Sequence, residues 1–170
     1  MEKIIFHKET KTFHLYNEEI SYIMCVLENG HMGQLYYGKR IHDKPDFSYL
    51  VEKCGRPMTS YIFEGDRSFS LEHIRQEYPV YGTTDYRHPA IEIMQENGSN
   101  ISEFKYVGYE ILKGKPSLKG LPATYTESDE EATSLDITLH DSVMDTDLVL
   151  TYSVYEDYPV ITRSARLVQK

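Results

Sequence analysis

Apolar and polar residues alternate with a period of two in much of this chain, and the helical period of about 3.6 is largely missing. Residues 132–140 show the pattern most clearly, because Leu135, Ile137 and Leu139 fall on one face and polar residues fall on the other. Several strands at roughly ten-residue spacing predict an all-β fold, an antiparallel β-sandwich. The other predicted strands are residues 11–16, 20–27, 32–38, 90–94, 103–113, 147–156 and 160–168.

The first part of the chain carries a strong hairpin signal. Glu28-Asn29-Gly30 separates the apolar run 20–27 from the strand predicted at 32–38. Asn-Gly is the dipeptide that most readily accepts the positive φ angles of a tight turn. The nearly continuous run 20–27 is typical of a strand buried on both faces. We therefore expect the first 38 residues to form an antiparallel meander.

Residues 39–89 interrupt the strand pattern. Prolines and glycines recur in this segment and charged residues are dense, but it also holds many aromatic residues, which disordered segments lack. We predict one long irregular loop region, with a helical turn at 70–76, inside a single domain of residues 1–170. Loops of this length in a compact domain are usually functional when they are ordered.

The charge balance excludes some partners. The chain has 18 Lys and Arg residues against 27 Asp and Glu residues, which gives a formal net charge of −9. Such a chain repels phosphate groups, so we expect neither nucleic acid nor a membrane as a partner. The N-terminus lacks the apolar stretch of a signal peptide, and no run approaches the roughly 20 apolar residues of a membrane span. These features favour a cytoplasmic protein.

Motifs for cofactors and metals are missing from the sequence. It contains no Walker A loop, no G-x-G-x-x-G, no G-x-S-x-G and no H-E-x-x-H spacing. Cys25 and Cys54 form no CxxC pair and are too few for a disulfide framework. The cluster of Asp141, Asp145 and Asp147 lacks the spacing and the glycine of an EF-hand loop. We predict no cofactor and no metal ion.

Paired carboxylates are the remaining route to catalysis. A retaining glycosidase needs a general acid and a nucleophile about 5–5.5 Å apart. Asp46, Asp66, Glu77 and Asp85 all lie in the long loop region, but sequence spacing brings no two of them together. The alternative is that they cap turns and pair with nearby arginines. Those arginines are Arg56, Arg67, Arg75 and Arg87.

Motifs spread over the whole chain resemble one known family. The loop region contains Gly-Asp-Arg-Ser-Phe-Ser-Leu at 65–71, Gln-Glu-Tyr-Pro at 76–79 and Tyr-Gly-Thr-Thr-Asp-Tyr-Arg-His-Pro-Ala at 81–90. These motifs are similar to those in the N-terminal domain of bacterial α-galactosidases (melibiases) of glycoside hydrolase family 36. The resemblance continues through Gly-Lys-Pro at 114–116, Gly-Leu-Pro-Ala-Thr-Tyr at 120–125 and Val-Ile-Thr-Arg-Ser-Ala-Arg at 160–166.

The resemblance implies a division of labour between domains. Members of the family have an N-terminal β-supersandwich, a central (β/α)₈ barrel and a small C-terminal β domain. Their nucleophile and acid/base aspartates lie on the barrel, at the face where barrel enzymes keep their chemistry. A barrel does not fit into 170 residues, so this segment is expected to be the leading part of the N-terminal domain, without a catalytic residue. The implied substrates are terminal α-galactosides of the melibiose and raffinose type.

The resemblance also implies a role at the edge of an active site. Many members are tetramers in which a loop of this domain reaches a neighbouring subunit's active site, and the matching loop lies within residues 43–70. By motif, Arg67 and Asp66 are implied substrate contacts, and Tyr49 falls near a position that is often aromatic. Arg56 is a fourth implied contact, although members often have an acidic residue before this arginine and a Cys-Gly pair precedes it here. Arginine donates to sugar hydroxyls, and an aromatic face packs on the sugar ring.

We therefore predict the non-catalytic N-terminal module of a retaining α-galactosidase, which completes the rim of a neighbouring active site and supports oligomerisation. Its partners would be the barrel domain of the same chain, further copies in a homo-oligomer and the galactoside substrate. The alternatives are a carbohydrate-binding β-sandwich that acts alone and a purely structural domain without a sugar contact.

Overall fold

The computed structural model describes residues 3–55, 57–58 and 60–169, and its regular structure in these residues is almost entirely β. Eight strands form two antiparallel sheets of four, in the orders β1-β2-β3-β4 and β5-β6-β7-β8. The predicted all-β antiparallel sandwich is confirmed. The strands are β1 (Ile4–His7), β2 (Thr12–Tyr16), β3 (Ile20–Val26), β4 (Met32–Lys39), β5 (Lys105–Lys113), β6 (Ala132–Asp141), β7 (Thr146–Tyr155) and β8 (Ile161–Gln169).

The first sheet is the predicted meander with one additional strand. β3 and β4 are joined across the expected Asn-Gly turn, in which Gly30 has a φ of +89° and donates its N–H to the Leu27 carbonyl at 2.8 Å. β1 was not predicted, because four residues are too few to show a period. It forms by pairing with β2, with Ile4 opposite Leu15.

The second sheet follows the alternation of the sequence closely. Leu135, Ile137 and Leu139 of β6 face inward, and each lies opposite an apolar residue of β7 that faces the same way. The outward-facing residues between them are polar and mostly half-buried. The alternation of apolar and polar residues therefore determines which face of this sheet is buried, because successive side chains of a strand point to opposite faces.

The two sheets share one hydrophobic core. It combines Phe13 and Tyr22 of the first sheet with Leu150 and Tyr152 of the second sheet. A second cluster lies on the opposite face of the first sheet, so β3 is buried on both sides, as predicted. This second cluster contains Ile23, Cys25, Leu27, Leu35, Phe47, Phe69, Leu71 and Ile74.

The described residues of the segment 40–104 form a third layer on the outer face of the first sheet, except around Val80 and Phe104, which enter the core between the two sheets. The named element in this segment is one short 3₁₀ helix, Ser48–Leu50. A single helical turn is present near 70–76, where the Ile74 N–H points to the Ser70 carbonyl at 3.4 Å. The strand predicted at 90–94 is wrong, because Ile91 makes only one isolated bridge, to Val80. Pro79 and Pro89 lack the N–H groups that a longer ladder would need.

One side chain joins the turns of the two sheets. Asn17 is buried, and its amide nitrogen donates to the carbonyl oxygens of Tyr155 and Tyr158 at 3.0 and 2.7 Å. Its amide oxygen accepts the N–H groups of Glu19 and Ile20, which closes the β2–β3 turn. In the described ranges, the structure has no helix long and apolar enough to cross a membrane.

Candidate functional site

Two buried aromatic residues anchor the segment that carries the predicted substrate contacts. Phe47 and Phe69 are 0% and 1% exposed and pack in the cluster on the outer face of the first sheet. Each lies two residues away from a predicted contact, Tyr49 and Arg67 respectively. Both contacts therefore extend from short loops that are fixed to the same sheet.

Tyr49 lies in the 3₁₀ helix and leaves 64% of its surface exposed. Its ring centroid is 6.4 Å from that of Phe47, and the Lys44 ammonium lies 5.7 Å from its ring centre. The turn before it is closed by Asp46, which accepts the Ser48 N–H at 2.7 Å. Tyr49 thus presents an accessible aromatic face on a firmly anchored turn.

Asp66 holds the turn in which Arg67 lies. Its Oδ1 accepts the N–H of Ser68 at 2.8 Å and the hydroxyl of Ser68 at 2.6 Å. These hydrogen bonds from Ser68 lower the pKa of Asp66. Gly65 precedes it with a φ of +82°, a conformation that glycine adopts without strain. The carboxylate of Asp66 is therefore already engaged in local structure.

Arg67 is exposed and presents its charge to solvent. Its guanidinium carbon lies 5.9 Å from the ring centre of Tyr61. Within residues 3–55, 57–58 and 60–169, no carboxylate forms an ion pair with it. A guanidinium group in this state has all its hydrogen-bond donors available for a ligand.

Arg56, the fourth predicted contact, lies outside the described residues. The Cys54 N–H donates to the Ser68 carbonyl at 3.2 Å. This bond places residue 54 beside the turn of Asp66 and Arg67.

The four candidate carboxylates of the long loop region all have hydrogen-bond or ionic partners. Asp46 and Asp66 cap turns, and Asp85 forms a bidentate ion pair with Arg87 at 2.8 Å for both bonds. Burial alone would raise the pKa of Asp85, but the Arg87 hydrogen bonds outweigh it and lower that pKa. The alternative of turn caps and ion pairs is confirmed for these three. Glu77 instead pairs with Arg163, which that alternative did not include.

Glu77 is the centre of a buried polar network. Its carboxylate accepts the hydroxyls of Tyr22 and Tyr152 at 2.7 Å each, and the Arg163 guanidinium lies 2.9 Å away. The side chain of Glu77 is completely buried, whereas that of Arg163 is 43% exposed. Burial, followed by the negative charge of Glu77, raises the pKa of both tyrosines. This network is a structural junction, because the Glu77 carboxylate is completely buried among Tyr22, Tyr152 and Arg163 and no substrate can reach it.

A polar cleft of about 360 Å³ lies at the edge of β4. Its lining includes Gln34, His73, Arg75 and the Asp85–Arg87 ion pair. Both ring nitrogens of His73 are buried and have no hydrogen-bond partner in the described part of the chain. Amide, guanidinium and imidazole groups in one cleft suit a hydroxylated ligand, which both donates and accepts hydrogen bonds. Among the described residues, no group of three or more His, Cys, Asp and Glu could hold a metal ion.

Sequence reasoning missed the polar junction at Glu77. Tyr152 is buried in β7, and its hydroxyl donates to Glu77, which lies 75 positions away in the sequence. A tyrosine in an apolar alternation indicates that its hydroxyl needs a polar partner. Nothing in the sequence identifies which carboxylate supplies it.

Comparison with known proteins connects this fold to a family. The model of the glycosyl hydrolase family 36 N-terminal domain matches residues 30–170. The alpha-galactosidase AgaA of Geobacillus stearothermophilus is 40% identical over 167 residues, which cover 98% of this chain and 23% of AgaA. The crystal structure of the family 36 alpha-galactosidase AgaB from the same species has a TM-score of 0.88 at 39% identity, covering 100% of this chain and 23% of AgaB. An AgaA variant solved with raffinose gives 0.87 at 41% identity, covering 94% and 22%.

This chain spans less than a quarter of the length of the relatives that it matches. The agreement extends over nearly the whole of this chain in both sequence and structure, so the resemblance seen in its motifs is confirmed. The chain belongs to the family of glycosyl hydrolase family 36 N-terminal domains.

Proposed function

We propose that this chain is the non-catalytic N-terminal module of a longer, retaining α-galactosidase. The support is that its full-length relatives are named alpha-galactosidases and that it corresponds to less than a quarter of them. One relative was solved in complex with raffinose, a terminal α-galactoside, which supports the same substrate class here. The active-site aspartates of such an enzyme would then lie outside residues 1–170, on the barrel domain.

The module contributes to the rim of an active site. The observation that carries this part is the state of Arg67 and Tyr49, both exposed on turns that buried phenylalanines anchor. A guanidinium without an ionic partner among the described residues and an accessible aromatic face are the two groups that bind a sugar from its hydroxyl edge and its apolar face. Asp66 supports this site by holding the turn, and Arg56 is its fourth member.

The active site in question belongs to a neighbouring copy in a cytoplasmic homo-oligomer, for which a tetramer is the expected state. Exposed apolar side chains on the edge strand β5, such as Val107 and Ile111, favour contact with further protein. The unpaired backbone of an edge strand has the same effect.

Substitution of Arg67 in the full-length enzyme tests the rim role. We expect Arg67→Ala to raise KM for raffinose about tenfold while kcat changes less, because the lost hydrogen bonds bind the ground state and the transition state alike. Arg166→Ala, which removes an exposed arginine from the other sheet, is the matched control. Unchanged KM and kcat in the Arg67 variant would support the purely structural alternative.

Assays of the isolated chain test the non-catalytic assignment and the binding alternative. We expect no turnover of p-nitrophenyl α-galactoside above the blank, because both catalytic aspartates are elsewhere. Galactose binding in calorimetry, abolished by His73→Ala or Arg75→Ala, would instead favour a carbohydrate-binding module. The polar cleft beside β4 is the observation that supports this second candidate function.

A further inference from the structure

Asp43, His14 and Ser21 form a linear hydrogen-bonded array at the start of the third layer. Oδ1 of Asp43 lies 2.7 Å from Nδ1 of His14, and Nε2 of His14 lies 2.9 Å from the hydroxyl of Ser21. The same Oδ1 is 2.9 Å from Nε2 of His7. Three strands, β1, β2 and β3, therefore each contribute one side chain to this array.

Ser21, His14 and Asp43 are arranged like the nucleophile, the general base and the orienting carboxylate of a hydrolase, but a substrate cannot reach them. Ser21 is 0% exposed and His14 is 1% exposed. The Ser21 oxygen also accepts the Ile41 N–H at 3.1 Å, so its hydroxyl hydrogen is directed to His14. Nucleophilic attack needs an accessible oxygen beside an oxyanion site. The array therefore holds structure together instead of performing hydrolysis.

The protonation of His14 fits this role. Burial lowers the pKa of His14, although the Asp43 carboxylate opposes the effect. The other titratable groups that act on its ring are His7 and Arg40. A neutral ring donates from Nδ1 to Asp43 and accepts at Nε2 from Ser21, so each of its nitrogens is satisfied.

The array fixes the residues that lead to Tyr49. Asp43 belongs to the segment after β4, and the ring of Phe47 packs edge-on against His14 with centroids 5.6 Å apart. The Thr10 hydroxyl adds a bond to the Pro45 carbonyl at 3.0 Å. Residues 43–47 are thus held to the first sheet by polar and apolar contacts, directly before the helix of Tyr49.

We propose that Asp43 is a positioning residue, which through His7 and His14 fixes the loop of Tyr49 and so sets the geometry of the active-site rim. The proposal rests on the proposed function for its catalytic consequence, but the fixing of the loop is independent of it. Asp43 itself is part of the array and makes no contact with the reacting atoms.

Hydrogen exchange in the 170-residue chain tests the fixing of the loop. The N–H groups of Leu50 and Val51 donate to the carbonyls of Phe47 and Ser48 at 3.0 Å and report on this helix. We expect Asp43→Asn to accelerate their exchange about tenfold, because a neutral amide oxygen accepts the two histidine N–H groups more weakly than a carboxylate oxygen does. Amides of β6 and β7 should keep their protection. Asp157→Asn, at an exposed aspartate of the β7–β8 turn, is the control.

Unchanged exchange at Leu50 and Val51 in the Asp43 variant would overturn the proposal. If Asp43→Asn fails to fold, His7→Ala provides the same test, since it removes one donor from a more exposed position. Asp43→Glu should restore part of the protection, because it keeps the charge.

Kinetics of the full-length enzyme test the consequence for the rim. We expect Asp43→Asn to raise KM several-fold with a smaller change in kcat, in the same direction as Arg67→Ala. Faster exchange together with unchanged KM would refute the rim role of Tyr49 and with it the catalytic consequence of Asp43. Unchanged exchange would refute the positioning role whatever the kinetics show, so the two failures are distinguishable.

Discussion

His14 and His31 are buried imidazoles, 1% and 4% exposed, in a chain whose other polar groups mostly face water. Burial lowers the pKa of both, although the Asp43 carboxylate opposes the effect at His14 and a hydrogen bond with Gln76 opposes it at His31. The array around His14 satisfies a neutral ring. Each of these histidines is therefore more easily protonated in the unfolded chain than in the folded one.

The stability of the chain should decline on mild acidification. Unfolded histidine titrates near pH 6.5, and a folded pKa below that value means that the unfolded state binds more protons. The contribution is complete above about pH 6.5 and is lost as the pH falls below it. Urea midpoints at pH 7.5 and 5.5 measure this loss, which His31→Gln should reduce. His88→Gln, at a side chain 91% exposed, should not change it. Equal midpoints of the wild type at both pH values would contradict the prediction.

The described residues of the long segment 40–104 belong to no strand of the two sheets, and they pack against the first sheet. Its stability comes from apolar anchors, Phe47, Phe69, Leu71 and Ile74, which enter the cluster on the outer face of the first sheet. The aromatic content of the sequence predicts that this segment packs and is not disordered. The strand predicted at 90–94 does not form, because alternation over five residues does not guarantee a neighbouring strand to pair with. β1 is the opposite case. Its four residues are too few to predict a strand, but they form one because they pair with β2.

Truncation of Phe69 should measure how firmly this segment is held. The side chain is 1% exposed and lies beside the Phe63 ring, with centroids 5.3 Å apart. We expect Phe69→Ala to lower the free energy of unfolding by about 3–5 kcal/mol, through lost burial and the remaining cavity. Tyr125→Ala, at a tyrosine 87% exposed, should stay within about 0.5 kcal/mol of wild type. Similar urea midpoints for the two variants would show that the segment contributes little to stability.

The whole molecule consists of three layers, and Glu77 connects them. It lies in the long segment, while Tyr22 comes from the first sheet and Tyr152 and Arg163 come from the second. Arg163 also donates to the Glu77 carbonyl at 2.7 Å, so both the backbone and the side chain of this residue are held. A buried carboxylate with this many donors joins the long segment to both sheets, next to the isolated bridge between Gln76 and Gly33 of β4.

Loss of the Glu77 charge should destabilise all three layers together. We expect Glu77→Gln to lower the free energy of unfolding by about 2–3 kcal/mol, because hydrogen bonds to a charged acceptor weaken and one amide hydrogen faces Arg163. Glu110→Gln, at an exposed position of β5, controls for the charge change. Unfolding followed by far-UV circular dichroism and by tyrosine fluorescence should give coincident transitions. A Glu77→Gln midpoint no lower than that of the Glu110→Gln control would indicate that the junction is dispensable.

The sequence by itself determined the all-β class, the faces of the strands and the Asn-Gly hairpin. These features depend on neighbours within a few residues, where alternation and turn chemistry act directly. The tertiary structure decided which distant polar groups meet, such as Asp43 with His14 and Glu77 with Tyr152, 29 and 75 positions apart. Those pairs form only because the two sheets and the long segment pack in one particular arrangement. Patterns of neighbouring residues in the sequence do not predict that arrangement. The same packing leaves Arg67 exposed and places Glu77 in the interior.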